Sequence, residues 1–163
     1  MIKISKSYLF SIVIICGSFL FGCIFQMFQR NSQVMTSEKY DTFFNAFLSI
    51  FTHNFLLILI ILTVSIIPYI AIIPIIFINF LIFGASVYLS VESVGYLNTF
   101  FRYIHSIAEI PAILISFSIA LRFSCSVYSK LTGSYSKFEY KKRELLSVVV
   151  LLIIGALVEA LYF

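Results

Sequence analysis

Apolar residues fill most of this chain in long runs, and short polar stretches separate those runs. A helix needs roughly 20 apolar residues to cross a bilayer, and five segments of the chain approach or reach that length. Their approximate bounds are 8–28, 54–68, 74–90, 99–123 and 145–163. The pattern predicts an all-α polytopic membrane bundle of about five transmembrane helices, which forms a single integral membrane domain over residues 1–163.

The second and third segments come from one apolar run at 54–90 that contains Pro68 and Pro74. The run is nearly long enough for two spans. Because proline removes a helical hydrogen bond and clashes with the preceding turn, the two prolines favour a tight turn between two short helices. We therefore predict a proline-interrupted helical hairpin, which either crosses the membrane twice or re-enters it.

The basic residues predict an orientation in the membrane. Lys3 and Lys6 precede the first segment, and the polar stretch 122–144 is the most basic loop of the chain. Cytoplasmic loops carry an excess of Lys and Arg, so both regions are expected in the cytoplasm. Five crossings satisfy this condition and put the C-terminus outside, whereas a single crossing at 54–90 would put the basic loop outside.

The first segment also resembles a secretory signal peptide, because a basic start precedes an apolar stretch. Residues 20–23, LFGC, loosely resemble a lipoprotein cleavage site, although Phe21 is an unusual residue there. No cleavage site of small residues follows the apolar stretch. We therefore expect the segment to be retained as the first transmembrane helix of a multi-pass protein of the cell membrane.

Composition supports the membrane interpretation and removes one class of partner. The chain has 163 residues, of which 61% are apolar and 11% are charged, whereas soluble domains carry about 25% charged residues. The net charge of +4 is concentrated in the loop 122–144. Because that loop lies between two apolar segments, it is expected to dock a cytoplasmic ATPase or anionic lipid, and no nucleic acid. The loop residues that carry this interpretation are Lys137, Lys141, Lys142 and Arg143.

Four polar side chains in or beside the apolar segments form a candidate functional region. His105 and Glu109 are four residues apart, so a helix places them on one face. Glu159 lies near the end of the last segment, and Asn54 begins the second. The predicted topology gathers all four in the outer half of the membrane. Ionisable groups in the membrane are energetically expensive and commonly functional.

Two kinds of role fit this intramembrane polar cluster. In the first, hydrogen bonds hold helices together or bind a partner. In the second, the imidazole and carboxylates relay protons, bind a cation or hold a metal. Candidate catalytic residues are His105, Glu109 and Glu159. We predict no cofactor; a metal at His105, Glu109 and Glu159 is possible, but one His with two Glu is a sparse ligand set and no HExxH motif supports it. The phosphate-loop motif of ATPases and the GxSxG motif are absent from the sequence as well.

Small residues recur every four positions along the fourth segment, which permits close approach to another helix or to a second copy of the chain. A polar and a small residue in the third segment are expected to serve the same purpose. The predicted helix-packing residues are Asn79, Gly84, Ala108, Ala112, Ser116 and Ala120.

These features together resemble the stage II sporulation protein M family of small multi-spanning membrane proteins. Residues 105–112, HSIAEIPA, are similar to the family signature H-G-x-x-E-[LI]-P-A, with Ser106 where glycine is usual. Asn79 and Gly84 resemble a family N-G-x-x-x-G element in which Phe80 replaces the first glycine. The resemblance extends from about Asn54, which matches a family asparagine, to the terminal E-[AG] element that contains Glu159.

The resemblance implies an all-helical membrane protein with no established enzymatic activity. The family's namesake works in a membrane complex with peptidoglycan-degrading partners during engulfment. Short relatives occur in circular-bacteriocin gene clusters, where they are linked to maturation, export or immunity, and others accompany transporter ATPases. Because this chain is short, we expect a bacteriocin-type or transport-accessory relative rather than the engulfment protein.

Three functional hypotheses remain open. The favoured one is a non-catalytic integral membrane subunit of a multiprotein complex, in bacteriocin or peptide export, maturation or immunity, or in an engulfment-type cell-envelope complex. Its expected partners are the lipid bilayer, a transporter ATPase or peptidoglycan hydrolase complex, and a peptide substrate. The second is an intramembrane peptidase or cyclase that uses His105, Glu109 and Glu159. The third is a proton- or ion-coupled permease, which would require a homo-oligomer because the chain has so few spans.

Overall fold

The computed structural model describes residues 6–29, 42–67, 71–133 and 141–161. The sequence features Lys3, Pro68 and Lys137 lie outside these residues. The described ranges contain helices and no strand, which confirms the predicted all-α bundle. The helices are α1 Lys6–Gln29, α2 Phe43–Val64, α3 Ile72–Val94, α4 Tyr96–Arg102, α5 Ser106–Leu131 and α6 Lys142–Ala160.

Four helices in the described part of the chain, α1, α2, α3 and α5, are long and apolar enough to cross a membrane. The predicted last segment corresponds to α6, which has 19 residues. It carries Lys142, Arg143 and Glu144 in its first turn and Glu159 one residue before its end. Because α6 packs along both α2 and α5, it is part of the same bundle.

The second helix begins at Phe43 and not near Asn54, so Asn54 lies in the middle of α2. The Thr42 hydroxyl caps this helix by accepting a hydrogen bond from the backbone N–H of Asn45 at 3.2 Å. Polar residues interspersed through 43–53 lower the hydropathy of this stretch, so the sequence pattern predicts that the second segment begins only at residue 54. A helix needs only one apolar face to pack, and Ala46 and Ile50 supply it, both buried.

The predicted fourth segment, 99–123, is divided in the structure. The short helix α4 ends at Arg102, and α5 begins at Ser106 and continues to Leu131. Between them the Tyr103 ring packs against Phe83 of α3, with ring centroids 5.6 Å apart. A continuous helix would direct Tyr103 and His105 to opposite sides. Because the helix is interrupted between Arg102 and Ser106, both side chains face the interior of the bundle.

Two glycines let α1 and α3 pack closely. A Cβ atom on Gly22 would collide with the backbone carbonyl of Leu81, and one on Gly84 would collide with that of Phe19. The order of these pairs shows that the two helices run antiparallel. At the same crossing the Cys23 thiol donates a hydrogen bond to the Gly84 carbonyl at 3.2 Å. Gly84 is therefore at a helix contact, and its partner helix is α1.

The helices α2 and α3 are consecutive in the chain but pack chiefly against different neighbours. Pro74 is the third residue of α3, in the first turn, where its missing N–H removes no helical hydrogen bond. The helix α3 packs chiefly along α1, whereas α2 packs chiefly along α5 and α6. The predicted hairpin thus consists of two helices of spanning length with a cavity between them.

Three helices are joined at one end of the bundle. Arg122 of α5 donates to Glu144 of α6 at 2.6 Å, and the Tyr8 hydroxyl of α1 donates to the same carboxylate at 3.1 Å. The Ser124 hydroxyl donates to the backbone carbonyl of Ile67 at 2.9 Å, which places the C-terminal end of α2 at this end of the bundle too. We call it the Tyr8 end, and the opposite end the Glu159 end.

The central helix is α5, which contacts α1, α2, α3 and α6. Its small residues Ala112, Ser116 and Ala120 are buried, and Ala108 is half-buried. The Ser116 hydroxyl donates to the Ala112 carbonyl at 2.8 Å, so its polarity is satisfied within the helix. These positions are covered by helices of the same chain.

Candidate functional site

The four residues of the intramembrane polar cluster lie on α2, on α6, on α5 and immediately before α5, and they meet at the Glu159 end. The His105 Nε2 atom lies 3.9 Å from Glu109 Oε2 and 3.7 Å from Glu159 Oε2. The Asn54 side-chain amide donates a hydrogen bond to Glu109 Oε1 at 2.5 Å. The structure therefore brings together all four residues that the sequence indicated.

Local backbone structure positions His105 and Glu109. His105 is the residue immediately before α5, and its carbonyl accepts hydrogen bonds from the N–H groups of Ala108 at 2.9 Å and Glu109 at 3.2 Å. Glu109 consequently lies in the first turn, where the positive end of the helix dipole favours a carboxylate. The helical i, i+4 relation is preserved although His105 itself precedes the helix.

The Glu109 side chain lies against the backbone of α6 at Gly155. A Cβ atom on Gly155 would be 2.6 Å from Glu109 Cγ and 3.3 Å from Oε1. Real Cβ atoms do not approach other atoms at the first of these distances, so only glycine fits here without displacement. The same antiparallel packing of α5 and α6 brings Glu159, four residues further along α6, to His105.

The cluster lines a cavity of about 460 Å³ between α2, α3 and α5. The side chains of His105, Glu109 and Glu159 are 11%, 13% and 22% exposed, so they are shielded but accessible from the cavity. Volumes of this size accommodate a side chain, a short peptide segment or a small ligand. The other polar groups of the lining include Asn79, Ser86, Tyr103 and Ser106.

Asn79 lines this cavity and is half-buried, whereas its neighbour Phe80 enters the apolar core. Its side chain therefore contributes to the polar lining of the cavity. Tyr103 and Ser106 were not predicted to be site residues, although Ser106 lies within the family signature. Tyr103 reaches the cavity only because the helix is interrupted between α4 and α5, and no local sequence pattern predicts that interruption.

The basic surface lies far from the cluster. Lys141, Lys142 and Arg143 are exposed at the start of α6, next to Glu144 at the Tyr8 end. Glu159 is 16 positions after Arg143 on the same helix, which corresponds to about 24 Å along its axis. The chain thus presents an acidic cavity at one end and exposed cations at the other.

The chemistry of the cluster is that of two carboxylates, an imidazole and an amide facing one cavity. Such a set accepts hydrogen bonds, binds cations and moves protons, and it orients a bound group through several fixed contacts. Its groups come from different helices, so any ligand that bridges them also couples those helices.

Comparison with known proteins gives one match. The pattern that defines the Stage II sporulation protein M family matches residues 8–162. The comparisons with curated proteins and with solved structures give no match. The family match spans nearly the whole chain, and all four residues of the intramembrane polar cluster lie within it. This chain belongs to the Stage II sporulation protein M family.

Proposed function

We propose that this chain is a non-catalytic integral membrane subunit of a cell-envelope complex, and that its cavity binds a segment of a partner protein or peptide. The observation that carries the proposal is the placement of Asn54, His105, Glu109 and Glu159 around one accessible cavity inside an apolar bundle. Polar groups in this setting are expensive unless a partner or ligand satisfies them. By analogy with family relatives, we propose two processes for this subunit. One is the export, maturation or immunity of a bacteriocin-like peptide, and the other is the work of an engulfment-type complex.

The proposed orientation puts the Tyr8 end in the cytoplasm and the Glu159 end outside. The N-terminal end of α1 and the start of α6 lie together at the Tyr8 end, where Lys141, Lys142 and Arg143 are exposed. This agrees with the cytoplasmic excess of Lys and Arg. A reporter enzyme active only outside the cell is expected to work when fused after Phe163 and to be inactive when fused after Gly133. The reverse pattern would contradict this orientation.

A crosslinked pull-down of the tagged chain from its native membrane tests the proposed function. Wild type is expected to recover a peptide, a transporter ATPase or a hydrolase complex that Glu109→Gln fails to recover. Glu92→Gln is the matched control, because Glu92 is an exposed residue of α3 that interacts with Tyr88 at 2.9 Å, away from the cavity. Identical recovery by wild type and Glu109→Gln would contradict the proposal.

A second candidate is the intramembrane peptidase or cyclase. The observation that favours it is that His105, Glu109 and Glu159 offer three ligand-type atoms within 4.8 Å of one another, beside a cavity large enough for a peptide segment. In this role His105 would be the base, and the carboxylates would be ligands or the acid. His105→Ala should then abolish peptide processing while partner recovery stays normal. Processing that persists without both carboxylates would remove this candidate.

A further inference from the structure

We propose that His105, Glu109 and Glu159 bind one divalent transition-metal ion, for which Zn²⁺ is the most suitable probe. One atom from each residue lies within 4.8 Å of the other two. Two ligands at about 2.1 Å from a zinc ion at a tetrahedral angle are roughly 3.4 Å apart. The separations of 3.7 and 3.9 Å from His105 Nε2 to the two carboxylates exceed that value only slightly. The two carboxylates lie within 4.8 Å of each other, so coordination of one ion by all three residues requires the carboxylate side chains to rotate towards each other.

The ligands are oriented by further contacts. Asn54 donates to Glu109 Oε1, so the other carboxylate oxygen, Oε2, is the one that faces His105. The imidazole Nε2 faces both carboxylates. Metal-binding carboxylates are ordinarily hydrogen-bonded through a second atom, as Glu109 is through Oε1.

Three protein ligands leave a fourth tetrahedral position for water or for an oxygen of a bound molecule. The Ser106 hydroxyl lines the same cavity and is 7% exposed. It has no hydrogen-bond partner among the residues that the structure describes. A buried hydroxyl of this kind is seldom left unsatisfied, and a metal-bound water or ligand in the cavity would supply its partner.

Charge balance favours a divalent ion over a monovalent one. Two ionised carboxylates and a neutral imidazole carry two negative charges, which a divalent cation neutralises. Neutrality matters here because uncompensated charge inside an apolar bundle is costly. One imidazole with two carboxylates suits Zn²⁺ or Mn²⁺ better than Cu⁺, which prefers sulfur ligands. Sites of this type are commonly built between the facing helices of a bundle.

Metal analysis of the purified full-length chain tests this proposal. The chain is stripped with a chelator in detergent, incubated with Zn²⁺, passed through gel filtration and analysed by mass spectrometry for zinc per chain. Wild type is expected to hold about one ion. Glu109→Gln and Glu159→Gln are expected to bind at least tenfold more weakly, since each removes a direct ligand.

Three control variants keep the result interpretable. Glu92→Gln removes a carboxylate outside the cluster, and His53→Ala removes an imidazole that lines the cavity but lies outside the ligand set. Gly17→Ala adds a methyl group to open space on α1. All three should bind Zn²⁺ like wild type, whereas Gly155→Ala should bind more weakly because it displaces Glu109. Variants are compared only where gel filtration and melting without Zn²⁺ match wild type, and His105→Ala serves if a carboxylate variant fails to fold.

The proposal is overturned if wild type holds no more zinc than the double variant Glu109→Gln/Glu159→Gln. It is also overturned if binding is lost in His53→Ala and kept in His105→Ala. The metal site goes beyond the proposed partner-binding function, and the two can fail separately. Metal binding is measured on the isolated chain, whereas partner recovery is measured in the native membrane. If wild type binds zinc but Glu109→Gln recovers the same partners as wild type, the proposal of a metal site stands and the proposal of partner binding is contradicted.

Discussion

Gly155 of α6 is the surface on which the Glu109 side chain of α5 rests, with a Cβ at Gly155 falling 2.6 Å from Glu109 Cγ. This contact links the packing of two helices to the position of a carboxylate of the intramembrane polar cluster. It explains why a small residue occurs in α6 at this level of the bundle. It also provides a means of moving Glu109 without removing it.

Gly155→Ala is expected to lower the free energy of unfolding by about 1–3 kcal/mol, because overpacking forces Glu109 or α6 to move. The higher helix propensity of alanine offsets about 1 kcal/mol of this loss. The defect should shrink in the Glu109→Ala background, where the colliding Cγ is absent. Thermal unfolding of the four chains of this double-mutant cycle in detergent measures the coupling. Strictly additive effects would mean that the two residues do not share this contact.

Gly84→Ala and Gly22→Ala should each separate α1 from α3, because the added methyl group meets the backbone carbonyl of the opposite helix. A backbone group cannot rotate away as a side chain can, so a loss of about 2–3 kcal/mol or failure to fold is expected. Gly17→Ala is the matched control for Gly22→Ala, because both glycines lie on α1 and a Cβ at Gly17 meets nothing within 4 Å. Equal melting temperatures for Gly22→Ala and Gly17→Ala would contradict the close crossing.

Asn54→Ala should destabilise the chain by about 0.6–2 kcal/mol, the range of hydrogen bonds between membrane helices. It removes the donor to Glu109 Oε1 and leaves that oxygen without its α2 contact. Asn45→Ala is the comparison, since the exposed Asn45 side chain is on the same helix outside the cavity. Denaturation of the purified variants measures the difference, and equal stabilities would show that the α2–α5 hydrogen bond contributes nothing.

The Tyr8 end makes a separate prediction about stability. Arg122→Ala or Glu144→Ala is expected to cost about 1–3 kcal/mol, because each leaves a partly buried charge without its partner. Removing both should cost less than the sum of the single changes. The double variant is compared with each single variant by thermal unfolding. Since this pair is distant from the cavity, none of the three variants should lose zinc, and a loss would show that the two ends are coupled.

The sequence predicted the cluster better than the helix boundaries. The proximity of His105 and Glu109 follows from local helical geometry alone. The proximity of Glu159 follows from the predicted order of the spans, which places it in the same half of the membrane. The start of α2 at Phe43 and the break before α5 were missed, because in both places tertiary packing overrides local hydropathy. The contact between Gly155 and Glu109 could not be predicted from the sequence, since it depends on the rotation of α6 about its axis relative to α5.

Site-specific photocrosslinking from the cavity tests the central claim, that the polar cavity binds a partner, most directly. A photoreactive residue at Ile82, which is exposed and lines the cavity, is compared with one at Val13, which is exposed on α1 away from it. In native membranes, Ile82 is expected to capture a discrete protein or peptide that Val13 does not, and Glu109→Gln should abolish that product. Identical products from both positions, or an Ile82 product unaffected by Glu109→Gln, would contradict the claim.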